Sequence, residues 1–223
     1  MSELNGVLLV NKPSGMTSHD VVARLRRISG QRRIGHIGTL DPMADGLLVM
    51  CLGRATRIVQ FLMGLDKVYL GSIELGGMSS TYDAEGDITR IDRPIPKDEA
   101  TIAQAMATQL GPQIQLPPPF SAVKVRGKKL YEYARAGEVV PEKPRTVFIH
   151  RFELLHYEPP QVHFEAKVGS GTYIRSMAHN MGLALGCGAF LSRLRRVRIG
   201  AFALEDAWDL ESLAMEPDML PLR

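Results

Sequence analysis

The sequence predicts a mixed α/β fold in which a largely antiparallel β-sheet is flanked by helices. Three observations support this class. Strand-like apolar runs alternate with runs that have the period of helices, and no internal repeat interrupts them. Two strand patterns, at 146–157 and 161–168, read as an antiparallel pair joined across Pro159-Pro160. The chain has 223 residues, of which 45% are hydrophobic, so it can bury a sizeable core. We expect one domain over residues 1–223.

The N-terminal part begins with a strand and a helix. Residues 6–10 are apolar and predict a short buried strand, and Lys12-Pro13-Ser14-Gly15 predicts a turn. Ser18 is expected to cap a helix that runs to about residue 29. Its apolar stripe is formed by Val21, Val22, Leu25 and Ile28. Further strands are expected at 47–52 and 67–75, with a helix at 54–63 between them.

The middle of the chain combines a helix with a basic insertion. Asp98 is expected to cap a helix that continues to about residue 110. Pro117-Pro118-Pro119 then prevents regular structure before the basic stretch 121–129. A short helix is expected over 130–137, closed by Gly137. An exposed basic excursion tipped by aromatic residues suits the clamping of a nucleic acid, although a mobile surface insertion without a partner has the same composition.

The C-terminal part contains a helix with an unusual cation. The helix is expected over 173–185, with Arg175 in its first turn. The helix dipole disfavours a cation at that end, so Arg175 requires a local anion. Residues 196–199 alternate as an edge strand would, and Leu194 is expected to point inward.

The charge of the chain is distributed unevenly although its net value is only +3. Acidic residues concentrate at 83–92 and in a tail at 205–218. Segregated cations favour a nucleic-acid surface, because each neutralised phosphate releases counterions, but a solvated face has the same pattern. The basic clusters are Arg24, Arg26, Arg27, Arg32 and Arg33; Lys124, Arg126, Lys128 and Lys129; and Arg193, Arg195, Arg196 and Arg198.

Several classes of protein are disfavoured. No apolar run reaches the ~18 residues that span a bilayer, and the N-terminus has no signal-peptide pattern. Cys51 and Cys187 are far apart and lack the spacing of metal ligands. We expect them to be small buried side chains of a reduced, cytoplasmic protein, and we expect no zinc.

The segment Gly35-His36-Ile37-Gly38-Thr39-Leu40-Asp41-Pro42-Met43-Ala44-Asp45-Gly46 is the strongest candidate for a functional site. A glycine-rich connection between two apolar runs is a common place for chemistry. Pro42 restricts the backbone of Asp41, which presents a carboxylate, and His36 lies between glycines. The alternative is that Asp41-Pro42 only initiates a turn and that His36 is a surface residue.

Six ordered blocks give the sequence a specific resemblance. They are Gly6 to Ser18; the Gly35 to Gly46 loop; Lys67-Val68-Tyr69; Gly127-Lys128-Lys129-Leu130-Tyr131-Glu132-Tyr133-Ala134-Arg135; Gly169 to Arg175; and Leu194-Arg195-Arg196. From residue 6 to about 200 the chain resembles the TruB-type tRNA pseudouridine synthases. The resemblance implies the pseudouridine synthase fold with a thumb-like insertion. It also implies a cytoplasmic isomerase that converts the T-loop uridine at tRNA position 55 to pseudouridine, without cofactor or metal.

The resemblance assigns three catalytic residues. Asp41 is the essential carboxylate, acting either as a nucleophile or as a base that promotes elimination. Arg175 is its ion-pair partner, which keeps the carboxylate ionised and oriented. Tyr69 stacks on the uracil, with its hydroxyl near the proton that moves; from the residues alone, a tyrosine in a strand is a packing residue.

The resemblance also assigns residues that bind the RNA. Leu194 forms the apolar wall of the base pocket, and Tyr173 belongs to the same set. His36 fills the space left by the extruded nucleotide, while an acid–base role ranks second. Flipping the base out of its stack costs a few kcal/mol, which contacts to RNA must offset. Lys12, Lys67, Lys128 and Lys129 are the candidates for phosphate contacts, and the insertion at about 117–145 is the expected clamp.

Two departures from the family pattern stand out. The family commonly has Thr-Asp where this chain reads Ser79-Ser80 before Thr81-Tyr82-Asp83, which puts an RNA contact by that Asp in doubt. Many relatives continue into a C-terminal RNA-binding PUA domain, which we expect to be absent here. We expect a monomer. The alternatives are the same chemistry on another RNA uridine, a non-catalytic RNA-binding or RNA-folding protein, and a glycosidase with Asp45 as its second acid.

Overall fold

The computed structural model describes residues 4–215 and 222. These residues form two compact units. Unit 1 contains the described residues up to Leu70 and those from Leu194 onward, and unit 2 contains Gly71–Arg193. The predicted fold class is confirmed, since the strands form a mostly antiparallel sheet accompanied by helices. None of the described helices is long and apolar enough to cross a membrane.

The strands and helices follow one another along the chain as expected for a mixed α/β protein. The strands are β1 (Gly6–Lys12), β2 (Ile34–Ile37), β3 (Asp45–Leu52), β4 (Lys67–Leu75), β5 (Gly77–Ser79), β6 (Ile88–Arg90), β7 (Gly111–Gln115), β8 (Lys124–Val125), β9 (Lys128–Lys129), β10 (Arg145–Glu158), β11 (Gln161–Val168), β12 (Ala189–Ile199), β13 (Phe202–Ala203) and β14 (Trp208–Asp209). The α-helices are α1 (Ser18–Ser29), α2 (Val59–Leu62), α3 (Glu99–Ala107), α4 (Leu130–Arg135), α5 (Ile174–Leu185) and α6 (Leu210–Met215).

Strand β3 is the centre of unit 1. Its residues 46–52 pair antiparallel with β1, from Leu52 opposite Gly6 to Gly46 opposite Lys12. Strand β2 pairs antiparallel with residues 49–52 of β3, whereas β12 pairs parallel with residues 45 and 46. Because β3 carries apolar side chains almost throughout, each face of this sheet covers its own hydrophobic cluster. The segment between β2 and β3 contains Asp41.

Helix α1 covers one face of unit 1 with the predicted stripe of Val21, Val22 and Leu25. The sequence predicted Ser18 as its N-cap, but the N-cap is Thr17. Thr17 accepts a hydrogen bond from the backbone N–H of Asp20, whose carboxylate accepts from the N–H of Thr17 in return. The hydroxyl of Ser18 is therefore free to bond elsewhere, and it does so at the candidate site.

Unit 2 is built on the long antiparallel pair of β10 and β11, which confirms the prediction made from residues 146–168. Strand β7 extends this pair on the other side of β10, from Gln115 opposite Arg145 to Gly111 opposite Ile149. Inward-facing Phe152 and Phe164 make an edge-to-face contact in the core, with ring centroids 5.3 Å apart. Helix α3 is capped by Asp98 as predicted but ends at Ala107.

The remaining differences from the predicted elements are local. Residues 54–63 form a 3₁₀ helix (Gly53–Ile58) followed by the short α2, in place of one α-helix. Strand β12 lies between β3 and β4 in the sheet order, so residues 196–199 do not form an edge strand. Cys51 and Cys187 are buried and unbridged, and burial raises the pKa of both thiols. The acidic tail predicted at 205–218 lies partly outside the described residues.

Candidate functional site

The loop that carries Asp41 runs from the end of β2 to the start of β3, and its backbone is bonded along its length. The hydroxyl of Ser18 accepts from the N–H of Leu40 at 2.8 Å and donates to the carbonyl of Leu40 at 3.1 Å. The carbonyl of Pro42 accepts from the N–H of Gly15 at 2.8 Å. The N–H of Ala44 donates to the carbonyl of Asp41 at 3.1 Å. A residue between such anchors has few backbone conformations available.

Lys12 is buried against this loop. Its exposed fraction is 0%, and its ammonium donates to the carbonyls of Met16 at 2.6 Å, Pro13 at 2.9 Å and Pro42 at 3.4 Å. An ammonium that is removed from water needs such acceptors. The structure thus places Lys12 as an internal tie between β1 and the Asp41 loop, where it faces backbone oxygens.

Lys67 is buried as well, at the start of β4. Its ammonium donates to the carbonyl of Met63 at 2.9 Å. Burial lowers the pKa of Lys67, and the nearby charge of Arg196 lowers it further, while Asp66 acts in the opposite direction. The sequence reasoning that grouped Lys12 and Lys67 with phosphate-binding lysines could not foresee this burial, because Lys12 lies just before a turn and Lys67 just after one.

Arg196 departs in the same way from the basic cluster to which the sequence assigned it. The side chain is buried, with an exposed fraction of 1%. Its Nε donates to the carbonyl of Leu47 and its Nη2 to the carbonyl of Gly38, each at 2.8 Å. Arg193, Arg195 and Arg198, by contrast, are exposed. Of these four arginines, only Arg196 therefore points into the protein.

His36 lies in β2, opposite Met50 of β3. Its Nδ1 is buried, and no acceptor or donor for it lies within the described residues. Burial lowers the pKa of His36, with smaller contributions in the same direction from the charges of Arg196 and His19. A neutral imidazole at neutral pH fits the predicted role of filling space better than acid–base chemistry.

Tyr69 and Leu194 lie on neighbouring strands of unit 1. They are 8% and 7% exposed, respectively. The N–H of Gly200, just after β12, donates to the carbonyl of Asp66, just before β4, at 2.9 Å, so the two strands run side by side. Tyr69 and Leu194 thus both lie in the unit that carries Asp41.

Arg175 lies in the first turn of α5 in unit 2, where its buried guanidinium has several partners. Its Nη1 lies 3.3 Å from the carboxylate of Asp83 and donates to the carbonyl of Thr81 at 3.1 Å. Its Nη2 donates to the carbonyl of Phe120 at 3.1 Å. The local anion that the helix dipole requires is therefore present within unit 2, and it is Asp83.

Asp83 is the acidic partner of Arg175 that sequence reasoning did not assign. It is buried, and its carboxylate also accepts from the hydroxyl of Thr81 at 2.5 Å and from the N–H of Glu85 at 3.0 Å. Tyr82 has a φ of +66°, which is rare for a bulky residue, and its ring stacks on His179 at 3.8 Å. The signal available in the sequence was the unmet need of Arg175 for an anion.

The start of α5 is fixed by a residue of β7. The side-chain amide of Gln115 accepts from the N–H of Tyr173 at 2.7 Å and donates to its carbonyl at 3.0 Å. Tyr173 is the N-cap of α5 and has no capping hydrogen bond from its own side chain. Arg145 lies over the Tyr173 ring, with its guanidinium carbon 5.4 Å from the centroid. Gln115 thereby sets the position from which Arg175 extends.

The basic insertion forms a small hairpin, β8 with β9, followed by α4. Its lysines have partners inside the insertion. Lys128 makes a 2.7 Å ion pair with Glu138 and lies 4.4 Å from the centroid of the Tyr133 ring. Lys129 donates to the hydroxyl of Tyr131 at 3.2 Å. Both lysines are half-buried against aromatic rings, which brings cations and aromatic faces together on one small element.

A search of residues 4–215 and 222 finds no group of three or more His, Cys, Asp and Glu side chains that could hold a metal ion.

Two family models match the chain. Residues 26–174 match the N-terminal domain of the TruB family pseudouridylate synthases, and residues 175–218 match the C-terminal domain of tRNA pseudouridylate synthase B. The tRNA pseudouridine synthase B of Opitutus terrae is 48% identical over 215 residues, covering 96% of this chain and 89% of that protein. The protein of the same name from Syntrophotalea carbinolica is 46% identical over 219 residues, covering 98% of this chain and 72% of that protein.

Solved structures agree with this assignment. A chain of a Cbf5-Nop10-Gar1 complex superposes with a TM-score of 0.74 at 36% identity, covering 94% of this chain and 54% of that chain. A chain of an H/ACA RNP bound to a substrate RNA containing 2′-deoxyuridine gives 0.70 at 34% identity, with 94% and 52% covered. This chain therefore spans about half the length of those chains. On its family models and its relatives, the chain belongs to the TruB family of pseudouridylate synthases, which are isomerases of uridine in tRNA.

Proposed function

We propose that this chain isomerises the uridine at position 55 in the T-loop of tRNA to pseudouridine, with Asp41 as the essential residue. The observation that carries the proposal is the bonded loop around Asp41. Its backbone is held by Ser18, Lys12 and Arg196, all of which are buried. Such fixed geometry suits a reaction in which a carboxylate must meet one atom of a flipped nucleoside.

The proposed chemistry breaks the bond between ribose C1′ and uracil N1, turns the base and rejoins it through C5. Asp41 acts as a nucleophile or as a base that promotes elimination, and Tyr69 supplies the aromatic face for the base. Leu194 and Tyr173 complete the binding of the nucleoside, and His36 fills the space that it leaves. Arg175 pairs with Asp41 in this proposal, which requires that its charge serve Asp83 and Asp41 alike.

We further propose that the insertion holds the RNA backbone through Lys128 and Lys129. The neighbouring tyrosine rings support this role, since a ring close to a cation can also stack on an unpaired base. Lys12 and Lys67 contribute to the site by holding protein carbonyls, because their ammonium groups lie inside unit 1. The same proposal includes one catalytic domain, a monomeric state and a cytoplasmic location. Light scattering of the free protein tests the monomeric state.

The test is incubation with an unmodified tRNA transcript, followed by mapping of pseudouridine. We expect one modified position in the T-loop for the wild-type chain and no product for Asp41→Asn. Asp45→Asn is the matched control, because Asp45 closes the same loop but pairs with exposed Arg195 at 3.4 Å. Product from Asp41→Asn at the wild-type rate would remove Asp41 from its role. Loss of product with Asp45→Asn as well as with Asp41→Asn would favour two-carboxylate chemistry.

A second RNA substrate or a non-catalytic role is separated by the same assay. A transcript with cytidine in place of the target uridine should bind and give no product. Binding of the transcript without any pseudouridine would support an RNA-folding protein, whereas modification at another uridine would correct the assigned position.

A further inference from the structure

Arg196 is buried beside the Asp41 loop, in a place where an arginine is unusual. Moving a guanidinium out of water is costly unless its N–H groups find good acceptors. The acceptors that the structure provides are backbone carbonyls, of Leu47 to Nε and of Gly38 to Nη2. The reason for burying an arginine here should therefore lie in the positions of those two carbonyls.

The two carbonyls lie at the two ends of the Asp41 loop. Gly38 is the first residue after β2, and Leu47 is the third residue of β3. A single planar guanidinium therefore spans the mouth of the loop and ties its entry to its exit. Asp41 lies between the tied ends, along with the segments that Ser18 and Lys12 hold.

The backbone at both ends is shaped to admit Arg196. Gly38 has a φ of +66°, and a Cβ there would lie 3.1 Å from Nη1 of Arg196 and 3.6 Å from Cε of Lys67. A Cβ on Gly46, whose φ is +99°, would collide with the carbonyl oxygen of Arg196 itself. Two glycines are thus needed for the close approach of the backbone to one arginine.

The charge of Arg196 also disfavours the protonated forms of two neighbouring side chains. It opposes protonation of Lys67 and of His36, adding to the effect of burial, which lowers the pKa of each. Lysine in this place would offer one nitrogen, which could not reach both carbonyls with the geometry of the fork. The hydrogen-bonding shape of arginine, more than its charge, is what the site uses.

We infer that Arg196 is a positioning residue for the reaction: its guanidinium clamps residues 38 and 47 and thereby fixes the Asp41 carboxylate before RNA binds. The inference rests on the proposed function, because positioning has a purpose only if Asp41 reacts. It assigns Arg196 to catalysis through the protein backbone, in contrast to the phosphate contact expected of a basic cluster.

The test compares Arg196→Lys and Arg196→Met with the wild-type chain on unmodified tRNA, at enzyme concentrations that saturate binding. We expect the first-turnover rate constant to fall about 10- to 100-fold, since a misplacement of about 1 Å can cost that much. We expect the Kd for the transcript to change less than about threefold, because the guanidinium is buried and bonds to backbone carbonyls. Arg93→Lys, an exposed arginine outside the predicted sites, is the matched control for both quantities.

Hydrogen–deuterium exchange separates a local clamp from general stabilisation. In Arg196→Lys, the amides of residues 38–47 should exchange faster while those of β10 and β11 keep the wild-type rate. This readout does not need activity, so it decides the clamp even if the wild-type chain fails to modify tRNA, a failure that would count against the proposed function instead.

Three outcomes would overturn the inference. The first is a folded Arg196→Lys variant with the wild-type first-turnover rate. The second is a loss of rate matched by an equal loss of tRNA binding. The third is failure of both variants to fold, or faster exchange throughout the chain, which would make Arg196 a general stabilising residue. If Arg196→Met alone fails to fold, Arg196→Lys decides.

Discussion

Asp83 and Arg175 show how much the site depends on charges that are removed from water. Both side chains are at least nine-tenths buried, and each has hydrogen-bond partners besides the other. A buried ion pair gains little over apolar packing, but the loss of one member leaves an uncompensated charge. The pair is therefore better understood as a device that orients the Arg175 guanidinium than as a source of stability.

Replacing Asp83 with asparagine tests whether the orientation of Arg175 depends on the charge of Asp83. Asparagine keeps the size of the side chain but not its charge, so we expect the free energy of unfolding to fall by about 1–3 kcal/mol. The rate of pseudouridine formation should fall as well, because Arg175 loses an anchor. Urea unfolding and single-turnover kinetics measure the two effects. Asp87→Asn, an exposed carboxylate nearby, should stay within about 0.5 kcal/mol of wild type; a matching loss there would contradict the explanation.

At the scale of elements, α5 and the insertion differ in how they are held. Helix α5 begins on Tyr173, which is gripped by Gln115 of β7 on unit 2. Phe120 near the start of the insertion accepts from Arg175, but the lysines of the insertion are held by contacts with its own side chains, such as Lys128 with Glu138. An element fixed by a buried partner keeps its position, whereas one fixed by exposed ion pairs can exchange those partners for others.

Gln115→Leu should loosen the start of α5. Gln115 is only 2% exposed, and its loss leaves the N–H of Tyr173 without its acceptor and the carbonyl of Tyr173 with only the N–H of Met177 as donor. We expect a loss of about 1–3 kcal/mol in the free energy of unfolding and a slower reaction with little change in tRNA affinity. Gln113→Leu, two residues earlier on β7 and bonded to the carbonyl of Leu110, is the control. Equal effects of the two changes would refute a special role for Gln115.

Glu138→Gln should strengthen the insertion's attraction for RNA. The change removes the carboxylate that holds Lys128 at 2.7 Å, so a phosphate no longer competes with it. We expect tighter tRNA binding at low salt and a log Kd against log salt slope that is steeper by up to about one unit. Lys128→Ala should make the slope shallower by a similar amount. An identical slope in all three proteins would show that Lys128 does not contact phosphate.

At the scale of the whole molecule, stability should depend on two half-buried histidines, one in each unit. Burial is the main cause that lowers the pKa of His36 and of His179 from the ordinary value of 6.5. As the pH falls below 6.5, the unfolded chain takes up protons that the folded chain refuses, so the free energy of unfolding decreases. The decrease ends below the pKa values of the folded state.

Urea unfolding at pH 7.5 and pH 5.5 measures this dependence. We expect the difference between the two conditions to shrink in His36→Gln and in His179→Gln, because glutamine does not titrate. Asn180→Gln, an exposed position of α5 next to His179, changes no titratable group and is the control that should keep the wild-type difference. If the free energy of unfolding keeps the wild-type pH dependence in both His36→Gln and His179→Gln, these imidazoles do not resist protonation.

The sequence predicted most of the fold, because alternation and caps are local properties. Strand β4 and the pair β10 and β11 follow the predicted pattern, and Asp98 caps α3. The N-cap of α1 was misplaced by one residue, since Thr17 and Ser18 are equally suited and only the capping box with Asp20 separates them. The edge position assigned to residues 196–199 was wrong because strand neighbours depend on distant segments.

The candidate site was predictable in its parts but not in its connections. The Asp41 loop stands out through its glycines, and the anion near Arg175 follows from the helix dipole. The burial of Lys12, Lys67 and Arg196 does not follow from sequence, because a cation looks the same whether it faces solvent or a carbonyl. Asp83 was missed because its partner lies 92 positions away along the chain, at Arg175.

The saturated carbonyls of the Asp41 loop have a consequence for the order of events during a reaction. The oxygens of Gly38, Leu40 and Pro42 already have donors, so a closing motion of this segment would sacrifice bonds formed during folding. We therefore expect this segment to keep its conformation during the reaction. In the proposed reaction, the nucleic acid is therefore the partner that moves, since its target base must unstack to reach the carboxylate.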